Sequence, residues 1–344
     1  MASGQPARIV RSYTKGTILI TGAAGFIGSH LVERLRQRGE RLLCLDNFDA
    51  YYSAALKRQN LSEALDRLDS CFVQADIRDH GLLERLFKGH QVTTVVHLAA
   101  RAGVRASLEN PVPYFETNVL GTLSLLEACR TFGVKRFVFA SSSSVYGESH
   151  AAPAVENTTP CRPLSPYGAS KLAAETLCEL YSRLCDMTTV ALRFFTVYGP
   201  RQRPDMAIRR FTKLIDEGKE VFVYGDGSSS RDYTFVTDTV DGIEAALRLP
   251  LRGYQVFNLG RGQPVTLLDL IGLIEQELES KARVRFLPHR DGDPLATCAD
   301  INKARTVLGY HPTVPIEQGI ACYVQWFKEL GDRDAWRAGI HGRA

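Results

Sequence analysis

Apolar and polar residues follow two distinct patterns along the first half of the chain. Short apolar runs rich in β-branched residues predict buried strands at residues 17–20, 41–45, 72–74, 94–98, 137–140 and 189–194. Apolar residues at helical spacing predict helices at residues 27–38, 80–88, 113–132 and 165–185. Strands that alternate with helices are typical of stacked βαβ units. The sequence therefore predicts an α/β fold with a doubly wound parallel sheet.

The pattern loosens in the second half of the chain. Residues 201–205 are polar and contain proline, which predicts a loop. Helices are expected at residues 206–217, 237–248, 266–279 and 315–329, and Thr266 and Asp269 have the spacing of a capping pair for the third of them. We therefore expect a sheet domain over 16–200, to which 236–260 returns, a smaller α/β lobe over 201–330, and tails at 1–15 and 331–344.

Charge and cysteine pattern narrow the classes of function. The 344 residues include 42 basic and 38 acidic side chains without a dense basic run, which argues against a nucleic-acid partner. No apolar stretch reaches the roughly 18 residues that span a membrane, and the N-terminal tail lacks the apolar core of a signal peptide. The eight cysteines form no C-x-x-C pair and no zinc-site spacing. We therefore expect reduced thiols, no metal and a cytoplasmic location.

A glycine-rich segment links the first predicted strand to the first predicted helix. Its sequence is GAAGFIG, from Gly22 to Gly28. Glycines allow a tight turn and a close approach of the backbone to a pyrophosphate, and the helix N-terminus supplies free N–H groups and positive potential. Strand, glycines and helix come in the required order, so we predict a dinucleotide site that uses Gly22, Gly25, Phe26, Ile27 and Gly28.

An aspartate at the end of the second strand indicates which dinucleotide binds. Asp46 lies 18 residues after Gly28, where a carboxylate holds the ribose hydroxyls of the adenosine and repels a 2′-phosphate. It therefore favours NAD over NADP. Strand ends nearby are predicted to complete the site. Asp76 and Ile77 would lie beside the adenine, and the small residues Ala99 and Ala100 would lie under the cofactor.

A tyrosine and a lysine lie four residues apart in the predicted helix at 165–185. Tyr167 and Lys171 therefore share one helix face, and a nearby ammonium stabilises a phenolate. Such a pair also occurs by chance. A serine cluster, Ser141 to Ser144, directly follows the fifth strand, where ligands bind in open α/β sheets. Ser142 is a candidate to bind the reacting oxygen, although a solvated serine turn would look the same.

Seven motifs together resemble a known family. GAAGFIG, HLAARAGVR, NVLGT, SSSSVYG, YGASK, RFFTVYGP and RDYTFVTD occur in the order found in the extended short-chain dehydrogenase/reductase family. The likeness covers about 16–330 and is strongest to its UDP-glucuronate 4-epimerases. It implies a Rossmann-type NAD-binding domain, a UDP-sugar-binding lobe, and a homodimer formed through the helices at 113–132 and 165–185. It also adds Asn47 and Asn118 as cofactor contacts.

The resemblance implies a transient oxidation of the sugar. Tyr167, with Lys171 and Ser142, would remove the proton of the 4-hydroxyl while NAD takes the hydride from carbon 4. The 4-keto sugar would turn over and receive the hydride on its other face. Related dehydratases carry an Asp-Glu pair after the catalytic Ser/Thr, and related decarboxylases carry a Glu in that stretch. This chain has Ser143 and Ser144 there, so we favour epimerisation.

The choice of sugar depends on a few polar residues. Thr196 stands where UDP-galactose-type epimerases carry Asn, which leaves room for a carboxylate, and Arg203 is the expected partner of that carboxylate. The resemblance assigns the UDP-sugar to Arg105, Ser142, Ser143, Ser144, Thr196, Arg203, Tyr224, Arg231, Tyr233, Arg290 and Asp293. A UDP-glucose/galactose 4-epimerase, a UDP-glucuronate decarboxylase and a non-catalytic NAD sensor stay open as alternatives. The role of Arg101, where the group often has Gln, also stays open.

Overall fold

A computed structural model describes residues 16–65, 70–148, 153–288 and 294–329. The strands are β1 (Thr17–Thr21), β2 (Leu42–Asp46), β3 (Ser70–Gln74), β4 (Val92–His97), β5 (Arg136–Ser142), β6 (Thr188–Phe194), β7 (Thr196–Tyr198), β8 (Glu220–Tyr224), β9 (Ser230–Phe235), β10 (Tyr254–Leu259), β11 (Pro264–Thr266) and β12 (Arg283–Leu287). Seven of them form one parallel sheet in the order β10-β6-β5-β4-β1-β2-β3. The chain runs outward from β1 to β3 and then restarts at β4 on the other side of β1. This gives the doubly wound topology that the sequence predicts.

Helices cover both faces of this sheet, which explains why its inner strands are largely apolar. The helices are α1 (Phe26–Gln37), α2 (Ala54–Leu65), α3 (His80–Gly89), α4 (Val104–Glu109), α5 (Val112–Phe115), α6 (Gly121–Phe132), α7 (Pro166–Cys185), α8 (Ala207–Asp216), α9 (Val236–Arg248), α10 (Leu267–Leu278) and α11 (Ile316–Glu329). One core packs α1 and α9 against the sheet, and a second packs α3, α6 and α7 against the opposite face.

Local sequence explains where several helices begin. Ser165 caps α7, since its hydroxyl accepts a hydrogen bond from the backbone N–H of Gly168 at 3.1 Å, and Pro166 fills the first turn. Thr266 caps α10 by accepting from the N–H of Asp269 at 3.1 Å, which confirms the predicted capping pair.

Several helical features depart from the sequence prediction. The single helix expected at 113–132 is broken, because α5 passes through a π-helical turn at Glu116–Leu120 before α6 begins. Such turns insert an extra residue and often mark functional positions. Another departure is α2, which the sequence did not predict, because its residues AALKRQNLSEAL show little amphipathic periodicity. The short helix α4 was not predicted either.

The remaining strands build the smaller lobe. A three-stranded sheet, β11-β9-β7, and a parallel pair, β12-β8, share an apolar core with α8, α10 and α11. Between the two groups of lobe strands the chain goes back to the large sheet, where β10 pairs with β6. No helix in the described ranges is long and apolar enough to cross a membrane. The predicted tails at 1–15 and 331–344 lie outside the described residues.

Candidate active site

A cavity lies over the carboxyl ends of the central strands, beside the point where the strand order reverses. Its walls come from the loops after β1, β2 and β4 and from the ends of β5 and β6. The glycine-rich segment and the pair Tyr167 and Lys171 line this one cavity. Open α/β sheets bind ligands at this position. The fold therefore brings the predicted dinucleotide motif and the predicted catalytic pair together.

The glycine-rich segment brings backbone close to the cavity. Gly25 precedes α1, and no side chain caps this helix, so its first N–H groups are left for a ligand. Gly22 has φ of 70°, and a Cβ there would lie 2.7 Å from the backbone nitrogen of Ala99. A Cβ on Gly28 would lie 2.1 Å from the Gly22 carbonyl oxygen. Only glycine fits at these two positions, and the segment has the shape that a pyrophosphate requires.

Asp46 faces the same cavity from the end of β2. Its carboxylate accepts hydrogen bonds from the backbone N–H of Ala24 at 3.1 Å and of Phe48 at 2.8 Å. Burial raises the pKa of Asp46, while the charge of Lys57 and these hydrogen bonds oppose the rise. Asp46 thus ties the glycine-rich segment to β2 and presents a carboxylate where a ribose would bind, so the residues present fit NAD.

Further predicted cofactor residues fall into two groups. Six of them line the cavity: Phe26, Ile27, Asn47, Ile77, Ala99 and Ala100. Asp76 is not part of this lining; its side chain is 28% exposed and accepts a hydrogen bond from the Asn47 side chain at 3.0 Å. Asn118 is 1% exposed and does not line the cavity either. Its Oδ1 accepts a hydrogen bond from the backbone N–H of Arg101 at 2.8 Å, and its Nδ2 donates to the Arg101 carbonyl oxygen at 2.9 Å. Asn118 therefore fixes the loop after β4.

Tyr167 and Lys171 lie one turn apart near the start of α7. Burial raises the pKa of Tyr167, whereas a hydrogen bond with Ser142 and the positive charge of Arg203 lower it. The Lys171 ammonium donates to the Ala140 carbonyl oxygen at 2.8 Å, and burial lowers the pKa of Lys171 to about 7. The structure thus brings Ser142 to the phenol as expected, and it adds Arg203 as a positive charge that acts on this phenol.

Among the described residues that are predicted to bind the sugar nucleotide, Arg203 lines the cavity. The Arg105 guanidinium lies 5.4 Å from the centre of the Tyr224 ring, so α4 meets the end of β8 there. Ser143 lines a small adjoining pocket, and the backbone N–H of Ser144 donates to the Ser142 hydroxyl at 3.2 Å. Thr196 begins β7 immediately after β6.

Four other predicted residues lie in the lobe or outside the described residues. Tyr233 is 4% exposed and packs edge-on against Tyr198 in the core of the lobe. Burial in this apolar core accounts for the position of Tyr233, and its contact with the UDP-sugar stays a prediction. Arg231 donates to the Ser230 carbonyl oxygen at 2.9 Å. The remaining two, Arg290 and Asp293, lie outside the described residues.

Some cavity residues were missing from the sequence prediction. The loop after β2 contributes Asp49, Tyr51 and Tyr52, and the buried Lys57 follows them in α2. Arg101, whose role was left open, lines the cavity with its guanidinium 3.8 Å from the Asp49 carboxylate. The run NFDAYYS directly after Asp46 was the available signal, because a strand end beside a ligand is usually followed by ligand-facing loop residues.

Comparison with known proteins identifies the family. The model of the NAD dependent epimerase/dehydratase family matches residues 18–260. The chain belongs to this family. It is 42% identical over 315 residues to a UDP-glucuronate 4-epimerase of Thermodesulfobacterium geofontis, covering 91% of this chain and 97% of that protein.

Solved structures agree with this assignment. The UDP-glucuronic acid 4-epimerase of Bacillus cereus, crystallised with UDP-glucuronic acid and NAD, superposes with a TM-score of 0.86 at 39% identity, covering 91% of this chain and 99% of that one. A UDP-glucose 4-epimerase of Thermotoga maritima superposes with a TM-score of 0.84 at 33% identity, covering 92% and 100%. The predicted family, Rossmann-type fold and NAD cofactor are confirmed, and the chain is an NAD-dependent sugar epimerase.

Proposed function

We propose that this enzyme interconverts UDP-glucuronate and UDP-galacturonate through a 4-keto intermediate. The observation that carries the proposal is the position of Arg203, whose guanidinium lines the cavity that also contains Tyr167. A permanent positive charge beside the reacting position suits a sugar that carries a carboxylate. The relatives named for UDP-glucuronate support the same choice.

The chemistry at carbon 4 divides between the cofactor and three side chains. NAD, held by the glycine-rich segment and Asp46, would supply the hydride chemistry at carbon 4 when bound. Ser142 and Tyr167 hold the 4-hydroxyl between them, and Tyr167 takes its proton as the ketone forms. Lys171, fixed to the Ala140 carbonyl, is placed to donate to the nicotinamide ribose. The proton goes back from Tyr167 to the oxygen when the hydride is returned.

A carboxylate clamp prevents a side reaction of the intermediate. Oxidation at carbon 4 of a hexuronate gives a β-keto acid, which readily loses carbon dioxide. Polar contacts from Ser143, Ser144, Thr196 and Arg203 would keep negative charge on the carboxylate and hold its bond to carbon 5 out of overlap with the ketone. This requirement distinguishes the proposed reaction from epimerisation of a neutral hexose.

The proposed division of labour follows the two parts of the fold. The large sheet, including β10, holds NAD, and the lobe holds the UDP group. Tyr224 at the end of β8 is assigned to the uracil, with Arg105 stacked on its ring at 5.4 Å. Arg231, Arg290 and Asp293 are assigned to the diphosphate and the uridine ribose, on the resemblance alone.

A homodimer through α6 and α7 is proposed as the working form. Large apolar side chains are exposed on α7, at Leu180 and Leu184, and on the helical segments that precede α6, at Leu108, Val112, Phe115 and Leu120. Leu184→Glu should therefore shift the protein to a monomer in size-exclusion chromatography with light scattering. Leu268→Glu, at another exposed leucine on α10, is the control and should leave the dimer intact. A monomeric wild-type protein would contradict the proposal.

The decisive experiment is a product analysis. The purified enzyme is incubated separately with UDP-glucuronate and UDP-glucose, and the products are resolved by NMR. We expect UDP-galacturonate from the first, little turnover of the second, and loss of turnover with retained NAD in Tyr167→Phe. Efficient turnover of UDP-glucose alone would instead indicate a neutral-hexose epimerase. A cytoplasmic location is proposed as well, with which the eight free thiols are consistent.

A further inference from the structure

The Arg203 guanidinium is held by a carboxylate of the protein itself. Its Nε donates to Asp205 Oδ1 at 3.0 Å and its Nη2 donates to Asp205 Oδ2 at 2.8 Å. These two donors form one edge of the planar group, so the pair is bidentate. Arginine has a second edge, formed by Nη1 and the other N–H of Nη2. Within the described residues, Nη1 makes no hydrogen bond.

A second loop fixes the Asp205 carboxylate. The Tyr51 hydroxyl donates to Asp205 Oδ2 at 3.3 Å, and the Tyr51 ring lies 5.7 Å from the Arg203 guanidinium. Tyr51 is itself held in the loop after β2, where its backbone N–H donates to the Asp49 carboxylate at 2.9 Å. Asp205 is therefore bound from two directions, by a side chain of the lobe entrance and by a side chain of the cofactor loop.

The charges of Arg203 and Asp205 balance each other next to the reacting position. The Arg203 side chain is only 22% exposed. Burial works to raise the pKa of Asp205, but the charge and hydrogen bonds of Arg203 outweigh it and hold that pKa below its ordinary value. Both groups are thus ionised at neutral pH. When a neutral hexose binds, the charges of Arg203 and Asp205 still cancel. A sugar carboxylate adds a second negative charge, which needs hydrogen-bond donors from the unused Nη1 edge of Arg203.

We propose that Asp205 is a positioning residue for Arg203 and sets the preference for a hexuronate over a neutral hexose. By occupying the Nε edge, Asp205 fixes the rotation of the guanidinium and presents the Nη1 edge to the sugar carboxylate. This inference rests on the proposed function, because it assumes that the carboxylate binds at Arg203. Without Asp205, the long arginine side chain would have to be ordered by the substrate, which weakens binding.

The test compares two ligands on matched variants. Asp205→Asn removes the charge and one bidentate acceptor, and Asp205→Glu keeps the carboxylate. Asp241→Asn is the control, because Asp241 forms an ion pair with Arg34 on the surface, away from the cavity. Dissociation constants for UDP-glucuronate and UDP-glucose are measured by titration calorimetry on the NAD-bound enzymes, beside kcat and KM for UDP-glucuronate.

We expect Asp205→Asn to raise the Kd and KM for UDP-glucuronate about tenfold, with little change in kcat or in the Kd for UDP-glucose. Asp205→Glu should recover most of the loss, and Asp241→Asn should match the wild type. In an Arg203→Leu background, Asp205→Asn should have no further effect on UDP-glucuronate binding.

The outcomes separate this inference from the proposed function. A Kd for UDP-glucuronate that is unchanged or lower in Asp205→Asn overturns the positioning role, as does an equal loss for both ligands. The proposed function fails separately if the wild-type enzyme binds and turns over UDP-glucose better than UDP-glucuronate. Retained NAD content and an unchanged unfolding midpoint show that the variants fold.

Discussion

A buried ion pair beside the catalytic helix makes a quantitative prediction. Arg193 on β6 binds Glu175 on α7, with Nη2 to Oε2 at 2.7 Å and Nε to Oε1 at 2.9 Å. The side chains are 6% and 4% exposed. The Ser141 hydroxyl, next to Ser142, donates to the same Glu175 oxygen that Arg193 Nε contacts. One buried carboxylate thus joins the catalytic helix to the ends of two strands.

Arg193→Met would leave the Glu175 charge buried without its counter-ion. Removing one partner of a buried pair costs about 3–5 kcal/mol, since the remaining charge loses its compensation. We expect the free energy of unfolding, measured by urea titration followed by circular dichroism, to fall by that amount. Arg183→Met is the control on the same helix, because Arg183 and Glu179 form an exposed pair with side chains 73% and 46% exposed. Such pairs contribute about 0.2–1 kcal/mol.

A double variant tests the reasoning directly. In Arg193→Met/Glu175→Met both charges are gone and apolar groups fill the space, so the loss should be smaller than in Arg193→Met alone. A double variant that loses the sum of the two single losses would show that the two side chains act independently. A loss below about 1 kcal/mol in Arg193→Met would refute the assignment of a tightly coupled buried pair.

Three further predictions concern the cofactor and the catalytic lysine. Gly28→Ala places a Cβ 2.1 Å from the Gly22 carbonyl oxygen, so the purified protein should lose bound NAD by nucleotide analysis, and full occupancy would contradict the close approach. Asp46→Asn should weaken NAD about tenfold in calorimetry while NADP changes less, and an unchanged ratio of the two would oppose the ribose assignment. Burial lowers the pKa of Lys171 from 10.5 in the unfolded chain to about 7 in the folded protein. Between pH 7 and pH 10.5, Lys171 is therefore protonated in the unfolded chain and neutral in the folded protein. Lys171 therefore destabilises the NAD-free protein most below pH 7, where its charged form is buried. Lys171→Met should raise the free energy of unfolding there, measured by urea titration, and this increase should shrink toward pH 10. An increase that grows with pH would contradict the reasoning.

Much of the fold follows from local pattern, and the exceptions have identifiable causes. The inner strands of the large sheet, β1, β2, β4, β5 and β6, could be predicted because they are buried on both faces and read as apolar runs. The helix α2 was missed because its apolar positions lack helical spacing. The π-helical turn at Glu116–Leu120 was missed because it depends on side-chain contacts of Asn118 with a distant loop.

The cavity shows the same division. Tyr167, Lys171 and the glycine-rich segment belong to single elements with fixed spacing, so their proximity in sequence was informative. The set of Arg203, Asp205 and Tyr51 joins loops separated by about 150 residues, with Tyr51 and Asp205 apart by 154 positions. A local sequence pattern cannot predict a contact between residues this far apart in the chain. The two loops come together because the sheet topology places them at the same edge.

The path of the chain between the two parts has an evolutionary and practical consequence. After β6 the chain forms the lobe strands β7, β8 and β9. It then returns to the large sheet, where β10 pairs with β6 from Thr189 to Phe194, before it forms β11 and β12 in the lobe. Trimming the protein after residue 200 would therefore strip the large sheet of an outer strand and expose the edge of β6, a template for aggregation. Lobes of this kind cannot be exchanged between relatives by a single crossover. A functional chimera must swap two separate segments on either side of β10 at once.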